Sequence, residues 1–131
     1  MIKFQELKVG DIVNAEYEGV VKEGEVIDLD REDKLVSVQT EVQEFWYEPA
    51  HLFPITLDDG QLKEFGFEKL ENADGTVKYR KDAFRILLPS KDDFSSFEIW
   101  YREDRRHINH PISVHELQNH YSQMTKVELA R

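Results

Sequence analysis

Gly10-Asp11-Ile12-Val13-Asn14-Ala15-Glu16-Tyr17-Glu18-Gly19-Val20-Val21 sets the grammar of the first half of the chain: a short apolar-rich run, opened by a turn and closed by a glycine. Short runs bounded by Gly, Asp or Asn read as strands. The pattern repeats outward from this stretch. Val20-Val21 leads through Gly24 into Val26-Ile27-Asp28-Leu29, Asp30-Arg31-Glu32-Asp33 makes a polar turn, and Leu35-Val36-Ser37-Val38-Gln39 follows. A fourth run, Val42 to Tyr47, ends before Pro49, which has no N–H to give to a ladder. Leu52-Phe53-Pro54-Ile55 closes the series. Four or five short strands joined by tight turns predict a small β-barrel over residues 1–55. The alternative is one sheet shared with the residues that follow.

From residue 56 the pattern changes. Thr56 is placed to cap a helix whose first turn holds Asp58 and Asp59, acids favoured there by the helix dipole. Leu57, Leu62 and Phe65 give that helix an apolar stripe, and Gly66 is a natural stop. Phe67–Leu70 and Val77–Tyr79 flank Asp74-Gly75, a hairpin signal, and Ala83–Leu88 and Phe94–Arg102 supply two more strands. Ser113-Val114-His115-Glu116 has the spacing of a capping box, after which Val114, Leu117, Tyr121 and Met124 fall on one helical face. The fold class is therefore α+β: a β-barrel unit over residues 1–55, then an α+β unit over 56–131 in which two helices pack on an antiparallel sheet. No Gly-, Ser- or Pro-rich linker separates them, so the boundary near residue 55 is tight.

Composition bounds the function. The 131 residues are 40% hydrophobic and 11% aromatic, enough for a packed core. Without cysteine there are no disulfides, thiolate metal sites or cysteine nucleophiles. Met1-Ile2-Lys3-Phe4-Gln5-Glu6 lacks the apolar centre of a secretion signal, and no apolar run approaches the roughly 20 residues that span a bilayer. A cytoplasmic protein with no membrane partner is expected. The net charge of −10 comes entirely from the first half: residues 1–60 carry 15 acids against 5 bases, and residues 61–131 carry 12 of each. Polyanion binding needs clustered Lys and Arg, so the overall balance disfavours nucleic acid and favours a protein partner.

Four of the five histidines, His107, His110, His115 and His120, fall within 14 residues. His115 and His120 are five apart, about 140° around a helix, whereas two ligands to one ion sit four apart on one face. His107 and His110, on a strand, would point to opposite faces. No metal, cofactor or catalytic residue is assigned on this pattern; a metal-dependent hydrolase using these histidines stays as the enzymatic alternative. No Gly-x-Ser-x-Gly elbow and no phosphate-binding glycine loop occurs. Glu16, Glu18, Glu23, Glu25, Asp28 and Asp30 form a dense acidic run, either a solvated face or a surface for a basic peptide.

Aromatic placement supplies the binding candidates. Alternation puts Phe45 and Tyr47 on one face and Trp46 with Glu44 and Glu48 on the other; Trp100 likewise shares its face with Glu98 and Arg102. A tryptophan on a polar face is either a binding anchor or a residue covered by a helix or by the joint between the halves. Arg102, Arg105 and Arg106 with His107, and Lys78, Arg80 and Lys81 on the hairpin, form a basic cluster interleaved with Glu103 and Asp104. Trp46, Trp100, Arg102, Arg105 and Arg106 are the candidate binding residues, and a nucleic-acid accessory role through the 102–107 cluster is a further alternative.

Two blocks carry a resemblance. Leu52-Phe53-Pro54-Ile55-Thr56-Leu57, continuing to Phe65-Gly66-Phe67-Glu68-Lys69, and Val114-His115-Glu116-Leu117-Gln118-Asn119-His120-Tyr121 resemble small uncharacterised proteins of Bacteroidetes phages and mobile elements. The pattern there is Pro-Ile-x-Leu, a helix, Phe-Gly-Phe and, much later, Val-His-x-Leu-Gln-Asn-x-Tyr opening a last helix, often followed by Thr-Gly. This chain departs at Met124-Thr125-Lys126. The resemblance covers about a quarter of the residues and implies a shared fold rather than an activity. Gly10-Asp11-x-Val13 generically resembles the opening of SH3-like barrels, the type expected for residues 1–55.

Overall fold

The computed structural model describes residues 1–131 and divides them into two compact units, Met1–Ile55 with Ser113–His115 and Thr56–Ile112 with Glu116–Arg131. The fold is α+β, with two five-stranded antiparallel sheets and two helices. No helix is long and apolar enough to cross a membrane.

The first unit is a meander of β1 (Ile12–Tyr17), β2 (Val20–Asp30), β3 (Leu35–Thr40), β4 (Glu44–Tyr47) and β5 (Leu52–Phe53), in the order β4-β3-β2-β1-β5. Glu18 and Gly19 both have positive φ, 51° and 79°, the two-residue turn whose twist matches a hairpin. Alternation sends Val13, Ala15, Val26, Val36 and Val38 to one face, each at most 2% exposed. Ile2, Leu7, Tyr47 and Leu52 complete the cluster, with Phe4, Leu29 and Phe45 packed at its margin. β1 and β4 lie three strand spacings apart in the ladder, roughly 14 Å if the sheet were flat. The Tyr17 and Phe45 rings are nevertheless 4.8 Å apart, so the sheet curls sharply over its apolar face. A bulge between Val26 and Asp28 increases the bend. Gly24 allows β2 to approach its neighbour β3 closely: a Cβ there would lie 2.6 Å from Val38 Cγ1 and 2.8 Å from the Gln39 carbonyl oxygen.

The predicted closed barrel is not formed. β4 and β5 stand at opposite edges of an open ladder. β5 is only two residues long, held between the 3-10 turn Pro49–His51 and Pro54, and its pairing is with β1. The Leu52 carbonyl also accepts from Ile2 N at 3.0 Å, so the N-terminal residues, and not β4, are the other neighbour of β5.

The second unit begins with α1 (Asp59–Glu64). Its cap is Asp58, whose Oδ1 accepts from Gln61 N at 2.8 Å, and not Thr56; Asp58 is the residue in extended conformation directly before the helix. Gly66, at φ 89°, ends it in a Schellman motif, with Gly66 N donating to Lys63 O (3.0 Å) and Phe67 N to Leu62 O (3.1 Å). β6 (Glu68–Glu71), β7 (Val77–Lys81), β8 (Phe84–Leu88), β9 (Phe97–Tyr101) and β10 (Asp104–Ile108) form a second meander, and α2 (Val114–Thr125) follows. β9 starts three residues later than the Phe94–Arg102 run predicts. Arg102, at φ 56°, turns the chain into β10, which carries the basic cluster and which polarity concealed.

Val77, Tyr79, Phe84, Ile86, Leu88, Phe97 and Ile99 are at most 2% exposed on one face of this sheet. Leu62 and Phe65 of the α1 region and Leu117 and Tyr121 of α2 are also buried, and the Tyr121 ring lies 4.7 Å from Phe84. The helices therefore cover that face. Gln118 Nε2, fully buried, donates to the Leu129 carbonyl at 3.0 Å, so the helix holds the C-terminal tail through a side chain to backbone bond.

Candidate interaction surfaces

The five candidate binding residues divide among separate places. Trp46 lies on β4 opposite Ser37, on the outer face of the first sheet, and is 51% exposed. Arg102 sits in the β9–β10 turn with its guanidinium 5.1 Å over the Tyr101 ring, away from Trp100 and contrary to the face-sharing predicted for them. Arg106 pairs with Ile99 in the ladder and so points to the helix-covered face, where its Nη1 reaches His120 Nδ1 (2.9 Å) and Gln123 Oε1 (3.0 Å). Arg105 pairs with Trp100 on the opposite face. The 102–107 cluster is thus not one patch; a strand and a turn send its arginines three ways.

The histidines do not converge either. His107 Nδ1 is 4.0 Å from Glu98 Oε1, His110 Nδ1 lies 3.0 Å from the Pro111 carbonyl, and His120 faces Arg106. Burial and the Arg106 charge push the His120 pKa down. His115 Nδ1 is 3.0 Å from Ser113 Oγ, while its Nε2 is out of water and unbonded. Ser113 and His115 are 8% and 3% exposed, so the pair is buried. No group of three or more His, Asp or Glu side chains is arranged to hold a metal ion.

Carboxylates in unusual settings have structural work. Asp11 is fully buried at the start of β1, where its Oδ2 accepts from Lys8 N (3.0 Å) and its Oδ1 from Lys8 Nζ (2.9 Å). Burial pushes its pKa up against the lowering effect of Lys8. Asp59 accepts from the Tyr79 hydroxyl at 2.6 Å and pairs with Lys63 (3.0 Å) and Lys69 (3.1 Å). The Tyr79 bond first, then the lysines, hold its carboxyl far below the usual range. Asp58, Asp59, Asp92 and Asp93 line a cavity of about 590 Å³. Three of the four are already engaged, since Asp58 caps α1 and Asp93 accepts from Ser95 N (3.1 Å) and Ser95 Oγ (2.5 Å).

Two surfaces remain. The first is a pocket of about 210 Å³ in the first unit, lined by Ala15, Tyr17, Glu18, Val20, Lys22, Thr40, Val42, Gln43 and Tyr47. Its apolar walls stand open, with Tyr17 46%, Val20 56% and Val42 64% exposed. Lys22, a basic lining residue, is taken up by Glu41 at 2.9 Å. The second is the face of the second sheet opposite the helices, where the ladder aligns Glu68, Arg80, Arg85, Trp100 and Arg105 in one cross-strand row. The guanidinium carbons of Arg85 and Arg105 lie 4.7 and 4.4 Å from the Trp100 ring centroid. Neither Tyr17, Val20 and Val42 nor Arg85 was among the sequence candidates. Valines beside Gly19 and within Glu41-Val42-Gln43 were the available signal, because apolar residues at hairpin tips have no core to enter.

Comparison with protein families, with curated proteins and with solved structures finds no match to this chain.

Proposed function

We propose that the chain is a non-enzymatic interaction protein whose first unit docks a basic segment of a protein partner. The observation that carries this is the open pocket of Tyr17, Val20, Val42 and Tyr47, set in a segment with 15 acids against 5 bases. Exposed apolar walls supply the contact energy, at roughly 25 cal/mol per Å² buried. The surrounding carboxylates steer cations and repel acidic competitors. Tyr17, 46% exposed, also offers a ring face, which attracts ammonium and guanidinium groups. An SH3-like architecture fits the same unit: five strands with β1 pairing both β2 and β5, a long bulged β2, and a 3-10 turn between β4 and β5. Its edges remain open where a closed barrel would seal them. The resemblance to phage and mobile-element proteins fits an accessory role of this kind.

The test is fluorescence anisotropy with a labelled 12-residue peptide of alternating arginine and leucine, set against a counterpart with glutamate for arginine. The basic peptide is expected to bind, and Tyr17→Ser or Val42→Asp to weaken it at least tenfold while the fold persists by circular dichroism. No binding, or equal binding by the acidic peptide or by the folded variants, refutes the proposal.

A further inference from the structure

We infer that the uncovered face of the second sheet is a platform for single-stranded nucleic acid, a second binding surface independent of the first-unit pocket. The residues come together only through register. Arg80 of β7, Arg85 of β8, Trp100 of β9 and Arg105 of β10 stand side by side across four strands, a row of roughly 14 Å at the usual strand spacing. A parallel row holds Lys78, Leu87, Glu98 and His107. This face therefore carries four permanent cations, Lys78, Arg80, Arg85 and Arg105, whereas Arg102 and Arg106 are spent elsewhere.

Counter-charges on the face are weak competitors. Arg80 pairs with Glu68 at 3.2 Å and Arg105 with Glu98 at 3.3 Å, but the side chains of both arginines and of Glu68 are more than half exposed. Exposed pairs of this type contribute about 0–1 kcal/mol, so a phosphate displaces the carboxylate at little cost. Arg85 lies between Arg80 and Trp100 in the row; its guanidinium carbon is 4.7 Å from the indole centroid, and its Nε is out of water and makes no hydrogen bond. The overall charge of −10 does not decide the matter, because at 0.1 M salt the Debye length of about 10 Å makes local charge dominant.

The shape and chemistry favour a single strand over other polyanions. An antiparallel sheet backed by helices offers no helix or ribbon to enter a major groove, which disfavours duplex readout. Unstacked bases lie on guanidinium planes as well as on aromatic rings. Here the Arg85 and Arg105 guanidiniums, held over the half-buried Trp100 ring, supply such planes, with the indole open to a base once an arginine turns to a phosphate. Beside it a cavity of about 420 Å³ is lined by Leu87, Pro89, Phe97, Glu98 and His107 among others. Its apolar wall with one carboxylate and one imidazole suits a base edge.

The experiment is anisotropy titration of labelled oligothymidylate, twelve nucleotides long, at 50 mM salt. It is paired with tryptophan fluorescence in a Trp46→Phe background, where Trp100 is the sole indole. Binding with quenching of Trp100 is expected. Trp100→Leu should weaken it roughly 5- to 150-fold, the span of one stacking interaction. Arg85→Gln with Arg105→Gln should flatten the dependence of log K on log salt by about 0.7 for each phosphate no longer neutralised. Trp46→Phe should change neither. No binding at 50 mM salt overturns the inference, as do undiminished binding by folded Trp100→Leu and tighter binding of an oligoglutamate peptide than of the oligonucleotide.

Discussion

Both units of this chain are five-stranded antiparallel meanders, yet they bury their apolar faces by different means. The first curls over itself, with a bulge in β2, a glycine where β2 approaches β3, and rings of β1 and β4 4.8 Å apart. The second stays open and puts α1 and α2 on one face. Curling leaves an apolar end exposed, the Tyr17–Val42 pocket. Helical cover instead leaves a whole sheet face to polar side chains, where cross-strand register rather than sequence proximity decides which charges meet.

The largest expected effect tests helical cover. Phe84, fully buried between Phe67 (6.1 Å) and Tyr121 (4.7 Å), anchors it, and Phe84→Ala should cost about 3–5 kcal/mol. Urea unfolding followed through Trp100 in the Trp46→Phe background measures this, and a loss under about 1 kcal/mol would mean that the helices do not depend on that ring.

The curl of the first sheet is tested next through Gly24→Ala. The added methyl meets backbone and side chain at under 3 Å, and the expected loss is about 1–3 kcal/mol. Gly60 in α1 is the control. Its Cβ would meet only Asp58 Oδ1 at 3.6 Å, so Gly60→Ala should stabilise by about 0.5–1 kcal/mol through helix propensity. The two glycines should thus shift the unfolding midpoint in opposite directions.

A smaller effect concerns acid. Asp59 has its folded pKa depressed, chiefly by Tyr79, so its stabilisation is complete above the unfolded value near 3.9 and fades as pH falls through the folded value. Asp59→Asn should therefore cost about 1 kcal/mol at pH 7, and the gap to the parent should narrow below about pH 4. Thermal melts between pH 7 and pH 2.5 measure the gap; one that widens in acid would contradict the assignment.

Alternation and turn chemistry carried the first half of the fold. Gly10 and Gly19 bracketed β1, the polar turn after Asp30 separated β2 from β3, and Phe45 and Tyr47 fell on the packed side while Trp46 faced out. Leu117 and Tyr121 likewise took the buried side of α2. Two things were out of reach. β10 reads Asp104-Arg105-Arg106-His107-Ile108, polar enough to pass for a loop, and is a strand because β9 offers it an edge to pair with. Barrel closure depended on whether β5 met β4; it pairs with β1 while its Leu52 carbonyl takes Ile2 N, a long-range choice that composition does not encode. The surfaces were harder still. Arg80, Arg85 and Trp100 are neighbours only once three strands are in register, so a segmental charge count averages them away with Arg102 and Arg106.

Oppositely charged partners should therefore choose different units, and amide chemical-shift mapping with the arginine–leucine peptide reads that choice residue by residue. The expected perturbations fall on Tyr17, Val20, Val42 and Gln43, with β8 to β10 unmoved. Shifts confined to Arg85, Trp100 and Arg105, or none at saturating peptide, would contradict the division of surfaces described above.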